Sequence, residues 1–200
     1  MISTAYRYLR PALPWKEVEI EGFRFGRRFK LIDIDPDTYE CETRELMREY
    51  LTPEDSLLVV GGGTGITAIT ASPHVSTVTA IEMDAHTRDQ FIHHLDRNGV
   101  MNVDVILGWV GDADDPERPE GVDMIELHGH TAMEIDVEGN GIPIIHQIPE
   151  TVRKVFYESH PTMGVPTIDA IEHLRDAGFD IIDRRIEWDA TGGEIIFAVR

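Results

Sequence analysis

The sequence predicts an α/β fold: a mainly parallel sheet with helices on both faces, an antiparallel C-terminal strand, and an N-terminal β-hairpin and helix. Three observations carry this. The apolar run Leu57–Val60 stops at Gly61-Gly62-Gly63-Thr64-Gly65, and apolar Ile66, Ala68 and Ile69 follow. That is a buried strand, a glycine-rich turn and a helix. From Ser56 onward strand and helix patterns alternate, which marks a parallel sheet. The last two strand-like stretches, Phe179–Glu187 and Glu194–Val199, follow one another as a hairpin would, so the sheet gains an antiparallel edge.

The elements follow in order. Val18, Ile20, Phe23 and Phe25, then Phe29, Leu31 and Ile32, predict two strands over 18–34 with the turn near Gly26 and Arg27. Asp35-Pro36-Asp37 interrupts them and can cap a helix from Thr38 to about Leu51. After the glycine turn, Val78–Glu82 is the second strand of the parallel series. Asp84 caps a helix to Arg97 with Phe91, Ile92 and Leu95 on its apolar side, and Asn98-Gly99 stops it. Val103–Leu107 is the third strand, and Gly108–Gly121 a polar loop. Val122–Leu127 and Ala132–Val137 both have strand character. The second is favoured as the fourth strand, because a helix over Ile142–Val152 and a strand over Val155–Glu158 follow it. Thr167–Ala177 is a helix ended by Gly178. Met101, Met124 and Met133 read as core fillers, and His93 and His94 as helix-surface residues.

The 200 residues suffice for one substantial core, so a single domain is expected: hairpin and helix over 1–52, the α/β core over 53–200. The one cysteine, Cys41, excludes an internal disulfide and fits a reducing compartment. The first 16 residues lack an apolar run long enough for a secretion signal, and no stretch is long enough to span a bilayer. The expectation is a cytoplasmic protein. A formal net charge of -19 repels nucleic acid and anionic membranes, so neither is expected as a partner. Lys16, Lys30 and Lys154 are the only lysines, and the acids are dispersed along the chain. Such a surface stays hydrated in concentrated salt, and the composition resembles that of salt-loving archaea.

The glycine turn has a partner about twenty residues on. Glu82 ends the second strand, where a nucleotide-binding α/β fold places the carboxylate that grips two ribose hydroxyls. Three readings compete. Gly63, Gly65 and Ala68 satisfy the nicotinamide-dinucleotide spacing of an NAD-dependent oxidoreductase. With the strand ending at Val60, the turn reads Gly61-x-Gly63-x-Gly65, the pattern of S-adenosylmethionine enzymes. Gly61–Gly65 with Glu82-Met83-Asp84 is similar to an aminopropyltransferase of the spermidine synthase type, with Thr64 where that family has Asp. A non-catalytic nucleoside-binding module is a fourth possibility.

The later chain favours one. Asp136-Val137-Glu138-Gly139 resembles the Asp-Val-Glu-Gly signature of the FkbM family of S-adenosylmethionine-dependent methyltransferases. Val155-Phe156-Tyr157-Glu158-Ser159-His160 resembles that family's next strand, which ends in Glu-x-His. The glycine turn, and Glu82 through Asn98-Gly99-Val100, look like its haloarchaeal members. The resemblance covers about 57–178. It implies a Rossmann-like class I methyltransferase fold, S-adenosyl-L-methionine as cofactor, and methyl transfer to oxygen on a small molecule or sugar. It also implies that Gly61, Gly63 and Gly65 pack against the methionine part of the cofactor, that Glu82 binds the ribose, and that Asp112 contacts the adenine amino group. The family usually has another Glu shortly after Asp-Val-Glu-Gly, whereas this chain has Asn140-Gly141.

A hydroxyl acceptor needs a base. Asp136, Glu138, Glu158 and His160 all follow sheet strands, where ligands of such folds sit. Glu138 and His160 are the base candidates, with Asp136 positioning. His128-Gly129-His130 invites a metal reading completed by Asp136 or His160, but no cysteine pair or His-Glu-x-x-His pattern supports it, and no metal is assigned.

Overall fold

A computed structural model describes residues 16–27, 35, 37–139, 141–188 and 192–200. The first two strands, β1 (Lys16–Ile20) and β2 (Phe23–Arg27), form an antiparallel hairpin. Its turn is at Glu21 and Gly22, both at positive φ, and not near Gly26 and Arg27. A two-residue turn with both φ values positive matches the twist of the strands it joins. Phe29, Leu31 and Ile32 lie outside the described residues.

Helix α1 spans Cys41–Tyr50, later than the expected start at Thr38. Thr38 and Tyr39 instead form a turn on the Asp35 carbonyl. The free N–H groups of α1 are met from far away: Glu187 accepts from the Thr43 N–H at 2.7 Å and its hydroxyl at 2.9 Å. No local pattern announces that cap.

A seven-stranded sheet carries the rest, in the order β5-β4-β3-β6-β7-β9-β8. Its members are β3 (Ser56–Val60), β4 (Thr77–Glu82), β5 (Val103–Leu107), β6 (Ala132–Ile135), β7 (Lys154–Glu158), β8 (Asp180–Trp188) and β9 (Gly193–Val199). The first five run parallel, and β9 lies antiparallel to both neighbours. The expected antiparallel strand is β9, and β8 lies beyond it at the edge. Ile195, Ile196, Phe197 and Ala198 of β9 are buried, whereas β8 carries Asp183, Arg184 and Arg185, charges that suit an edge.

Both sheet faces are covered. Leu57 and Val59 pack with Leu46 and Met47 of α1, Ile69 of α2 (Ile66–Ala71) and Phe91 of α3 (Ala85–Asn98). Leu58 and Val60 face Ile144 of α4 (Gly141–Ile145) and Ile171 and Leu174 of α5 (Thr167–Asp176). Each such burial is worth about 1.5–3 kcal/mol, which is why β3 reads as an unbroken apolar run. Helix α4 stops at Ile145, well short of Val152, and closes in tight turns before Pro149. Val122–Leu127 is not a strand: its ladder pairing among the described residues is an isolated parallel bridge of Met124 to Trp109.

Three packing expectations are corrected. Met101 is 92 % and Met124 37 % exposed, while Met133 is buried. His94 is buried, not a surface residue. Its Nε2 accepts from the Gly26 N–H at 2.8 Å, so Nδ1–H donates to the Thr64 carbonyl at 2.8 Å. The ring thereby ties the hairpin to the glycine turn, and burial lowers its pKa. Asn98 adds bonds to both the N–H and the carbonyl of Arg24.

Candidate functional site

The strand order reverses between β4-β3 and β6-β7, and open α/β sheets bind ligands where it does, beyond the carboxyl ends of the strands. A cleft of about 600 Å³ sits there. Each of the five parallel strands delivers residues to it: Gly61 and Gly63 after β3, Glu82 and Met83 at β4, Trp109 after β5, Asp136 and Glu138 after β6, and Glu158 and His160 at β7.

Within the glycine turn, Gly61 and Gly65 are demanded by close packing. Gly61 has φ 94°, and a Cβ there would stand 1.7 Å from the Asp136 carbonyl oxygen. Gly65 has φ 88°, and its Cβ would stand 2.2 Å from Phe91. Gly65 therefore seats α2 against α3, the role of the last glycine in a dinucleotide-type turn. The lining of the cleft does not include it. Beside Gly63 a Cβ would find only the Gly61 carbonyl, at 4.0 Å.

Glu82 is 8 % exposed and anchored on both oxygens. One accepts from the Gly63 N–H and the other from the Asp84 N–H, each at 2.8 Å. Burial pushes its pKa up, and these two backbone donors offset part of the rise. Each carboxylate oxygen keeps a further lone pair for a ligand hydroxyl.

The opposite wall is acidic. His160 Nε2 donates to Asp136 Oδ1 at 2.8 Å and stands 4.0 Å from Glu158 Oε1. Burial is the largest single influence on His160 and works against its charge, but the Asp136 bond together with the charges of Asp136, Glu138 and Glu40 outweighs it, and the imidazole pKa rises. Glu138 is exposed on the rim. Among the described residues, no Lys or Arg lines the cleft.

Sequence reasoning missed the floor. Glu40 and Tyr39, just ahead of α1, line the cleft, and Glu40 accepts from the Thr67 hydroxyl at 2.7 Å. Burial and the Asp136 charge push the Glu40 pKa up to about 7. Glu134 lies beneath, 2 % exposed, with Oε2 buried and without a hydrogen-bond partner. Nothing in the local pattern marks Glu40. A Glu inside the otherwise apolar strand Ala132–Ile135 was a visible signal for Glu134.

The solved structures add the fold. Superposition on M. jannaschii TYW2 in complex with AdoMet gives a TM-score of 0.65 at 15% identity, covering 94% of this chain and 85% of that one. The M. jannaschii tRNA m1G37 methyltransferase gives 0.65 at 12% identity, over 93% of this chain and 56% of that one. Precorrin-6y C5,15-methyltransferase from Geobacter metallireducens gives 0.60 at 18% identity, over 86% and 91%. The fold is that of class I S-adenosylmethionine-dependent methyltransferases. No protein-family model and no curated protein matches the sequence. The neighbours thus carry the coarser class, and neither the FkbM family nor a haloarchaeal source.

One expectation is overturned. Nucleic acid was excluded on net charge, yet the fold is shared with a tRNA methyltransferase. Net charge describes the far field of a whole chain and not the contacts of one surface. It is also silent about whatever the neighbour contributes outside the 56% that this chain spans.

Two other candidates fall outside the cleft lining. Asp112 is exposed, and its carboxylate accepts from the Asp114 N–H within its own loop at 3.0 Å. His128 and His130 precede β6 and so lie at the other end of that strand from Asp136, with His130 Nε2 3.1 Å from the Thr79 hydroxyl. They share no site with Asp136 or His160. No helix among the described residues is long and apolar enough to cross a membrane.

Proposed function

We propose that the chain binds S-adenosylmethionine in this cleft and catalyses methyl transfer to a hydroxyl of a small molecule or sugar. The observation that carries the reading is Glu82 held against the Gly63 N–H at the mouth of the cleft, with the Asp136–His160 pair on the facing wall.

The residues fit the cofactor. Glu82 offers lone pairs to a vicinal diol, and the bare backbone at Gly63 permits close approach. Met83 and Trp109 give apolar walls suited to a flat base. When bound, the sulfonium supplies an activated methyl group, so the protein's task is alignment and proton removal. Asp136 orients His160 through the 2.8 Å bond, and His160 or Glu138 takes the acceptor proton. The assignment to the FkbM family rests on Asp136-Val137-Glu138-Gly139 and on Glu158-x-His160. A single domain over 1–200 is part of the same reading.

The test is transfer of labelled methyl from S-adenosylmethionine across a panel of hydroxylated small molecules, sugars and RNA. Label on a hydroxylated small molecule or sugar, lost in Asp136→Asn, supports the proposal. Label on RNA alone, or none on any acceptor, overturns it.

A further inference from the structure

Burying several carboxylates around one point is costly unless a cation or protons compensate. On the wall facing Glu82, Asp136, Glu158 and His160 each present one ligand atom, all within 4.8 Å of one another. A divalent ion about 2.1 Å from each donor in octahedral geometry sets neighbouring donors about 3.0 Å apart and opposite ones about 4.2 Å apart. The Asp136–His160 and Glu158–His160 separations of 2.8 Å and 4.0 Å fit that frame.

A second observation points to the same place. The Glu134 carboxylate is 2 % exposed, and its Oε2 has no hydrogen-bond partner. Side chains alternate across a strand, so Glu134 lies on the same face as Asp136, two residues on. The charges acting on it are Asp136, Glu40, Glu158 and Glu187. A buried carboxylate oxygen without a partner, on the face of Asp136 and within reach of the Asp136 and Glu158 charges, is an acceptor that a water bound to a cation would satisfy.

We propose that Asp136, Glu158 and His160 form a divalent-cation site, backed by Glu134, at the acceptor end of the cleft. Two carboxylates and one imidazole with room for water suit Mn²⁺. Zinc in structural sites prefers a closed tetrahedral set of thiolates and imidazoles. The ion replaces the proton now shared by His160 and Asp136. His160 is then a ligand, which leaves Glu138 on the rim as the group that accepts the acceptor's proton. A hydroxyl bound to the ion is polarised and loses its proton more readily. Binding of the ion rests on these side chains alone, while its catalytic use rests on the methyl-transfer reading.

The test uses the full chain, stripped with a chelator and desalted, without S-adenosylmethionine. Calorimetric titration with MnCl₂ is expected to show one ion per chain. Asp136→Asn and Glu158→Gln should each weaken it by at least about tenfold, while Asp104→Asn, an exposed strand acid, leaves it unchanged. Electron spin echo modulation from an imidazole nitrogen on Mn²⁺ in the unsubstituted protein checks His160 without any variant. Absent modulation, no stoichiometric binding, or affinity indifferent to both substitutions overturns the site. Heat from ethylenediammonium with none from Mn²⁺ assigns the cluster to organic cations and also overturns it. S-adenosylmethionine titrated separately distinguishes the two claims: Mn²⁺ binding without cofactor binding keeps the ion and removes the methyl-transfer reading, and the reverse removes only the ion.

Discussion

The Gly63 N–H donates to the Glu82 carboxylate at 2.8 Å, joining the glycine turn after β3 to the acid that ends β4. The bond sets the carboxylate at the mouth of the cleft before any ligand arrives. Its second oxygen is fixed by the Asp84 N–H, so little side-chain freedom remains to be lost on binding.

Glu82→Ala is therefore expected to weaken S-adenosylmethionine binding by about 1–3 kcal/mol, the range for charge-assisted hydrogen bonds. Calorimetry on the variant, with circular dichroism to confirm the fold, reads this directly. Unchanged affinity would remove Glu82 from the site.

Gly65→Ala should act on stability. The added methyl would stand 2.2 Å from Phe91 on a backbone at φ 88°. Overpacking of this kind costs about 1–3 kcal/mol. Urea unfolding should show the loss, and Phe91→Leu should recover part of it in the double variant. A Gly65→Ala protein as stable as the parent would contradict the seating of α2 on α3.

Stability should fall as pH rises from about 4.5 toward 7, contrary to the usual behaviour of paired carboxylates. Burial raises the pKa of Glu40, Glu82 and Glu187 in the folded protein, Glu40 from 4.5 to about 7. A carboxyl with a raised folded pKa binds its proton more tightly when folded. Its contribution is fully present below the unfolded value and is lost as pH climbs through the folded one. Urea midpoints measured in chelator across this range check the trend, and Glu40→Gln should flatten it. A slope of the opposite sign would contradict the burial of these groups in ionisable form.

Most of the sheet was legible because its cues are local. Val103–Leu107 matches β5, and Asp84 caps α3 through the Thr87 N–H at 2.7 Å. The glycine turn and Glu82 came from spacing alone. What was hidden depends on distant parts of the chain. Glu187 caps α1 from β8, and His94 is held between Gly26 and Thr64. Ile92 reads with Phe91 and Leu95 as an apolar residue of the helix and His94 as a surface one, yet Ile92 is 39 % exposed while His94 is buried, because a polar ring with two backbone partners can be buried at little cost. The hairpin turn was misplaced because Gly26 outweighed Glu21-Gly22, although Gly22 is the glycine that needs positive φ. The acidic floor of the cleft stayed hidden for the same reason as the cap. Glu40 and Glu134 lie 94 positions apart in number and meet only in the fold.

The most direct measurement is a calorimetric titration of the full chain with S-adenosylmethionine, with decarboxylated S-adenosylmethionine and NAD run alongside. Saturable heat from S-adenosylmethionine alone, at one per chain, is the predicted result. Binding of NAD or of the decarboxylated form in its place, or no heat from S-adenosylmethionine, would contradict a methyl-donor site built on Gly63 and Glu82.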